Sequence, residues 1–290
     1  MSTVLSRRRF LKMLAGGVAG LGVTGIGASA YITCIEPYWL SHSAVTTPLR
    51  HLPPAFEGFT IAHISDLHMG DWITAAQLEE VAAQVNALAP DLIAVTGDIA
   101  SRAYRGLQAD ITRFLRSLRA REGVAATLGN HDHWLDARTV RRAILDADTW
   151  LLWNTHAEVR RGGDTLYIVG VDDVWEHEDD LDEALAEVPP EAVATVLLAH
   201  EPDFADEAAA TGRIGLQLSG HSHGGQVRLP GIGAPVLPRL GRRYDMGLYT
   251  LAGMRLYVNR GIGMTAPYVR FNCPPEITLI TLTATTNLQS

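Results

Sequence analysis

The chain has 290 residues, 47% hydrophobic and 19% charged, which supplies enough apolar material for a sizeable core and excludes a disordered, collagen-like or multi-span membrane protein. The formal charge is −8, but four basic residues lie in the first twelve positions, so the remainder sets 20 basic groups against 32 acidic ones; a body at −12 without a basic stripe repels a nucleic-acid backbone, and nucleic acid is not expected as a partner. Two cysteines, Cys34 and Cys273, exclude a disulfide-dense scaffold and a four-cysteine zinc site, leaving room for one bridge.

Ser6-Arg7-Arg8-Arg9-Phe10-Leu11-Lys12 precedes 23 uncharged residues, Met13 to Ile35, so a basic region leads into an apolar one. The heptad resembles the twin-arginine export signal, S-R-R-x-F-L-K, at every defined position. Six glycines between Gly16 and Gly27 keep the apolar stretch weakly hydrophobic, as signals of that pathway are. The resemblance implies the twin-arginine export machinery as a partner and passage of an already folded protein. Ala28-Ser29-Ala30 offers a small-residue cleavage site. If the segment is retained, residues 13–35 are long enough to associate with a membrane as an anchor. Residues 1–35 are therefore read as signal or anchor, and either reading places the body outside the cytoplasm, in the periplasm or on the outer face of the cytoplasmic membrane.

Residues 36–56, with Pro37, Pro48, Pro53 and Pro54, read as a linker; a single domain is expected over 57–285, followed by a tail at 286–290. From Phe59 onward, short apolar runs alternate with polar loops and helical stretches. The runs Thr60–Ile64, Leu92–Val95, Val124–Leu128, Leu166–Val169, Thr195–Leu198 and Ile214–Leu218 predict strands buried on both faces. Thr74 and Gln77 form a capping box that opens a helix ending before Pro90. Further helices are predicted near 106–120, 136–147, 180–188 and 203–211. The last 60 residues, with strand-like pieces at Arg255–Val258 and Ile277–Leu282, suggest that an α/β pattern gives way to antiparallel strands.

Five polar clusters follow these strands: Asp66-x-His68, Gly97-Asp98, Gly129-Asn130-His131-Asp132, His200 and Gly220-His221-Ser222-His223. Strand ends of an α/β sheet converge on one crevice, so residues distant in sequence can share a site. Alternate residues of an extended segment point the same way, which lets Asp66 and His68 grip one cation and His221 and His223 share a cavity. Carboxylates, imidazoles and one amide oxygen suit manganese, iron or zinc rather than calcium, which prefers oxygen alone. Seven ligands over-coordinate one cation and serve two.

In order and in full, D-x-H, G-D, G-N-H-D/E, H and G-H-x-H resemble the pattern of the calcineurin-like metallophosphoesterases, over roughly Ile61 to Gln226. The resemblance implies an α/β fold, a four-layer α/β/β/α sandwich, and a phosphate-ester substrate. Carried over by position, it implies that Asp66, His68 and His223 hold one metal, that Asn130, His200 and His221 hold the second, and that Asp98 bridges both. In the implied mechanism the two cations activate a water that attacks phosphorus in line. His131 is then no ligand but the catalytic acid for the leaving alkoxide, a task suited to imidazole because it titrates near neutrality. One position departs from the pattern. Many relatives read G-D-x-x-D-R, with the second Asp orienting the catalytic His; Ser101 stands in that place here, leaving Asp132 or a backbone carbonyl as substitutes. Arg102 is open to a phosphate contact or to a solvated surface role.

His63, His133, His156 and His177 fit no slot of the pattern. The acidic stretch Asp172–Glu183 reads as a helix N-terminus rather than a further cation site. Trp72, Trp134 and Trp175 follow strand ends, where they could contact an apolar substrate or a membrane, although aromatic rings near such loops usually pack.

Overall fold

A computed structural model describes residues 27–191 and 194–284. The twin-arginine-like heptad, most of the uncharged segment and the predicted tail lie outside the described residues. No helix among the described residues is long and apolar enough to cross a membrane.

The strands are numbered in chain order. One six-stranded sheet runs β1 (Ser41–Leu49), β12 (Glu276–Ala284), β2 (Thr60–Ile64), β3 (Leu92–Thr96), β4 (Gly123–Thr127) and β5 (Trp150–Leu151). The other runs β10 (Gly247–Leu251), β11 (Met254–Val258), β9 (Leu216–Ser219), β8 (Thr195–Leu198), β7 (Asp164–Gly170) and β6 (Thr155–Arg161). Helices α1 (Ala75–Ala87), α2 (Leu107–Ser117) and α3 (Asn130–Asp146) accompany the first sheet, and α4 (Leu181–Leu185) and α5 (Ala205–Ala210) the second.

Period-two alternation divides each apolar run between two cores. In β3, Leu92 and Ala94 join the core between the sheets, whereas Ile93 and Val95 join the core beneath α1, α2 and α3. In the same way, Val196 and Leu198 of β8 face the inner core, and Leu197 faces the core under α4 and α5. Three cores between four layers make the expected α/β/β/α sandwich. A fully buried Leu, Ile or Val stabilises it by about 1.5–3 kcal/mol.

Thr74 caps α1 as predicted: its hydroxyl accepts from the Gln77 N–H, and Gln77 Oε1 accepts from the Thr74 N–H. The helix expected near 136–147 begins earlier, at Asn130, and kinks at Asp136. There the carboxylate accepts from Arg138 N–H and the Thr139 hydroxyl, a cap inside a longer element. The helix expected over 180–188 is confined to Leu181–Leu185.

Residues 36–56 are not simply a linker. Ser41–Leu49 pair in parallel with β12 from Ser41 opposite Glu276 to Leu49 opposite Ala284, so this segment is the border of the first sheet. Its polar, alternately exposed sequence and Pro48 hide the strand, and only a border strand tolerates that proline. The C-terminal part is also less antiparallel than expected. β10 and β11 form an antiparallel pair, but β11 lies parallel to β9, and β12 crosses to the first sheet to sit between β1 and β2.

Candidate metal centre

β2, β3 and β4 are mutually parallel, as are β8 and β9, so their carboxyl ends bring all five polar clusters to one edge of the sandwich. The ladder between the first two clusters continues past the strands: Asp66 N–H donates to Gly97 O (3.1 Å) and His68 N–H to Asp98 O (3.0 Å). Across the sheets, the His221 N–H donates to the Asp66 carboxylate at 3.1 Å.

The ligand pairs do converge, but not by lying on extended strands. Asp66, His68, Asp98, His221 and His223 have φ between 49° and 65°, the left-handed region that non-glycine residues rarely occupy. The left-handed turns let Leu67 enter the outer core while Asp66 and His68 face the cavity. Glycines clear the space beside them. A Cβ on Gly220 would lie 1.9 Å from Ser65 Oγ and 2.2 Å from Asp66 Oδ2, and one on Gly129 would lie 2.4 Å from Asp98 Oδ1. Gly220→Ala is therefore expected to displace the Asp66 carboxylate, costing about 1–3 kcal/mol of stability and lowering metal content. Thermal denaturation and elemental analysis check this; an unchanged melting temperature with full metal content contradicts it.

The seven expected ligands are all buried. His223 Nε2 lies 3.3 Å from Asp66 Oδ1 and 2.9 Å from His68 Nε2, and His200 Nε2 lies 3.2 Å from Asp98 Oδ2 and 4.0 Å from Asp66 Oδ1. Ligand atoms of Asp66, His68 and His223 fall within 4.8 Å of one another, as do those of Asp66, Asp98 and His200, and those of His200 and His221. His200 donates Nδ1–H to Thr96 O (2.7 Å), which leaves the Nε2 lone pair toward the carboxylates; His221 donates Nε2–H to Arg239 O (2.7 Å), which frees Nδ1.

This donor set fits a pair of cations. Asn130 Oδ1 and His200 Nε2 are buried without hydrogen-bond partners, at roughly 1–3 kcal/mol each if nothing coordinates them. The facing nitrogens of His68 and His223 bring two lone pairs together unless a proton or a cation lies between them. Burial, only partly opposed by Asp98, holds the His68 imidazolium pKa down at about 3, and burial reinforced by the charge of His200 does the same to His221. Neutral imidazole is the form that binds metal. Burial raises Asp66 to about 7, whereas Asp98, despite its burial, is held well below the usual carboxylate range by His200. That carboxylate in turn raises the His200 pKa well above the usual imidazole value, against the effect of burial. His200 is thus the cation of the metal-free centre, and a bound metal would displace its Nε2 proton.

His131 sits half-exposed at the wall of the centre, with its ring 4.8 Å from that of His68. One of its nitrogens also falls within 4.8 Å of the ligand atoms of His68 and Asp98. Asp132 does not orient it: that carboxylate is spent on the N–H groups of Ile99, Ala100 and Gly129, where it fixes the loop after β3 to the start of α3. Ser101 itself faces the catalytic candidate, its hydroxyl 3.4 Å from His131 Nδ1 and hydrogen-bonded to His68 Nδ1. Arg102 is exposed and lies 3.5 Å from Asp71, the surface role.

Three of the histidines set aside are accounted for by packing and pairing. His63 bonds Thr96, His133 bonds Asp172, and His156 packs on Tyr167. Asp172 is also paired with Arg141, and Asp180 caps α4, whereas Asp173 keeps its Oδ2 buried without a hydrogen-bond partner. Cys34 is exposed and Cys273 buried, both unbridged. Trp134 and Trp175 do more than pack. With Pro235–Pro238 and Thr265–Pro267 they wall a cavity of about 500 Å³ whose floor is Asp98, Asn130, His131, His221 and His223. Sequence reasoning also missed Arg270, fully buried, whose guanidinium donates to the carbonyls of Arg260, Gly261, Gly263 and Cys273 and so braces the loop under Asp66. An isolated arginine between Val269 and Phe271 carries no signal of that role.

A two-sheet α/β sandwich with a carboxylate and imidazole centre fit for two metals at its strand ends defines a metallohydrolase. The model of the calcineurin-like phosphoesterase family matches residues 59–225, and the chain belongs to that family. It is 35% identical to the metallophosphoesterase YkuE of Bacillus subtilis (strain 168), over 97% of this chain and 99% of that one. It is 28% identical to the phosphodiesterase YaeI of Escherichia coli (strain K12), over 96% and 100% of the two chains. A third relative, the UDP-2,3-diacylglucosamine pyrophosphatase LpxG of Chlamydia trachomatis, is 29% identical over 89% of this chain and 95% of its own. The protein is a metal-dependent phosphoric ester hydrolase.

Proposed function

We propose that the protein hydrolyses phosphodiesters or phosphomonoesters in the cell envelope, after export in the folded state by the twin-arginine route. The observation that carries the catalytic half is the buried seven-residue donor set, with orphaned ligand atoms, at the floor of an open cavity. In this reading Asp66, His68 and His223 hold one cation, Asn130, His200 and His221 the other, and Asp98 touches both. The bound pair supplies charge neutralisation and a water acidic enough to act as nucleophile at neutral pH. Thr96 O and Arg239 O hold His200 and His221 in the tautomers that present the required lone pairs. His131, beside the open side of the floor and steadied by Ser101, gives its proton to the departing oxygen.

The test is hydrolysis of bis(4-nitrophenyl) phosphate and of 4-nitrophenyl phosphate after reconstitution with manganese, iron or zinc. Turnover of either ester that disappears with a chelator is expected; a protein that holds two metal ions per chain and turns over neither ester overturns the reading. The export half is read by fractionation, where Arg7→Lys with Arg8→Lys is expected to retain the protein in the cytoplasm.

The LpxG relative supports a second reading, cleavage of the pyrophosphate bond of a UDP-linked acylated sugar. Such a substrate is cytoplasmic, so localisation separates the two.

A further inference from the structure

We infer, on the basis of the phosphoesterase reading above, that the cavity over the metal centre takes a phosphoester with a long apolar substituent, presented at a membrane surface that the rim of the cavity contacts. Above the polar floor the walls are mostly apolar: Val236, Leu237, Pro238, Ala266 and Pro267 line the cavity with Trp134 and Trp175, and Ser222, Gln226 and Thr265 add the polar groups. A phosphate with only small or charged substituents would leave that surface wet. An acyl or similar chain buries it, at about 25 cal/mol per Å² of apolar surface.

The rim carries exposed apolar side chains on both walls. Ile232 is 74% exposed and Val236 75% exposed, at the tip of the segment that forms one wall. On the other wall, Tyr268 follows Pro267 and donates to Asp71; the next residue, Trp72, packs on Tyr38 at 4.7 Å, and Trp39 beside it is 61% exposed. Tyrosine and tryptophan with one apolar and one wet end are the residues of a membrane interface. This run ends where the chain arrives from the uncharged residues 13–35. Ile32 O accepts from Arg270 N–H (3.0 Å), and the Glu36 carboxylate accepts from Cys273 N–H (2.5 Å), which ties that arrival point to the same segment as Thr265–Pro267. Gln226 fixes this second wall, its amide donating to the carbonyls of Thr265 and Pro267. Residues 32–36, the aromatic run and the cavity wall are thus linked through the segment 265–273, so residues 13–35, where they are retained as an anchor, hold a membrane beside the cavity mouth.

The experiment uses the full chain, loaded with manganese, in phosphatidylcholine vesicles. The 4-nitrophenyl diesters of phosphate carrying a methyl or an octyl group are compared, with bis(4-nitrophenyl) phosphate as the soluble reference. The octyl ester is expected to exceed the methyl ester in kcat/KM by at least about tenfold, mostly through KM, since one fully buried methylene is worth roughly fourfold. Leu237→Asp is expected to bring the ratio to within about threefold, and this ratio is unaffected by partial loss of folded protein. Quenching of tryptophan fluorescence by brominated phosphatidylcholine is expected to fall in Ile232→Asp. Equal constants for the two esters, with normal turnover of the reference, overturn the inference and leave the phosphoesterase reading intact; failure of the reference itself sinks that reading first. An octyl preference with no quenching overturns presentation from a bilayer.

Discussion

Asp98→Ala is expected to release both metal ions and to reduce hydrolysis to background. Its Oδ2 lies 3.2 Å from His200 Nε2 and 3.6 Å from His68 Nε2, one ligand from each proposed set, so its carboxylate is the group whose loss opens both sites at once. Its Oδ1 accepts from His131 N–H at 2.9 Å, so the substitution also loosens the start of α3. Asp98→Asn keeps a hydrogen-bonding oxygen for that N–H while removing the charge, and separates the two losses. Metal content by elemental analysis and thermal denaturation with and without added manganese provide the measurements. A ligand present at 100 times its Kd stabilises a folded protein by about 2.7 kcal/mol, and this increment is expected in the parent and absent in both variants. Two ions retained in Asp98→Asn would remove Asp98 from the bridging role.

His131→Ala is expected to keep both ions and to lose about 10²–10⁴ in kcat, the usual worth of a positioned proton donor. The loss depends on the leaving group. 4-Nitrophenolate departs without a proton, so its esters sit at the low end of that range, and alkyl leaving groups sit at the high end. A purely structural role for His131 would reduce both equally. Ser101→Ala, which frees the His131 ring on its Nδ1 side, is expected to follow the same leaving-group pattern with a smaller loss. Because the Ser101 hydroxyl also contacts His68, metal content is measured in the same preparations; equal metal loss in Ser101→Ala and His131→Ala would contradict the separation of ligand from acid.

The clusters were legible because each donor type has few other uses at a strand end, and because five of them occur in order. Their geometry was not. Asp66-x-His68 and His221-x-His223 were expected to converge as alternate residues of an extended segment, yet both pairs turn through the left-handed region. Nothing in the residue types reports that, since the conformation is imposed by the ladder to Gly97 and Asp98 and by the close approach of Gly220. Ser101 was visible as a departure from the pattern. That it would occupy the orienting position, while Asp132 was spent on three backbone N–H groups, depended on where the two loops met.

The sandwich shows the same division. The eight strands anticipated from apolar runs lie inside the two sheets, where both faces and both edges are covered and the amino-acid pattern must be hydrophobic. The four that went unnoticed, β1, β5, β6 and β10, are the borders of those sheets. A border strand is paired on one side only and is partly open to water, so Ser41–Leu49 and Thr155–Arg161 carry polar residues that read as loop. Local composition thus determined the buried strands, the helix caps and the identity of the metal-binding side chains, because burial and coordination each admit few residue types. Tertiary structure alone decided the border strands, the left-handed ligand turns and the apolar walls brought from 235–238 and 265–267 over the centre, because each depends on contacts between segments far apart in the chain.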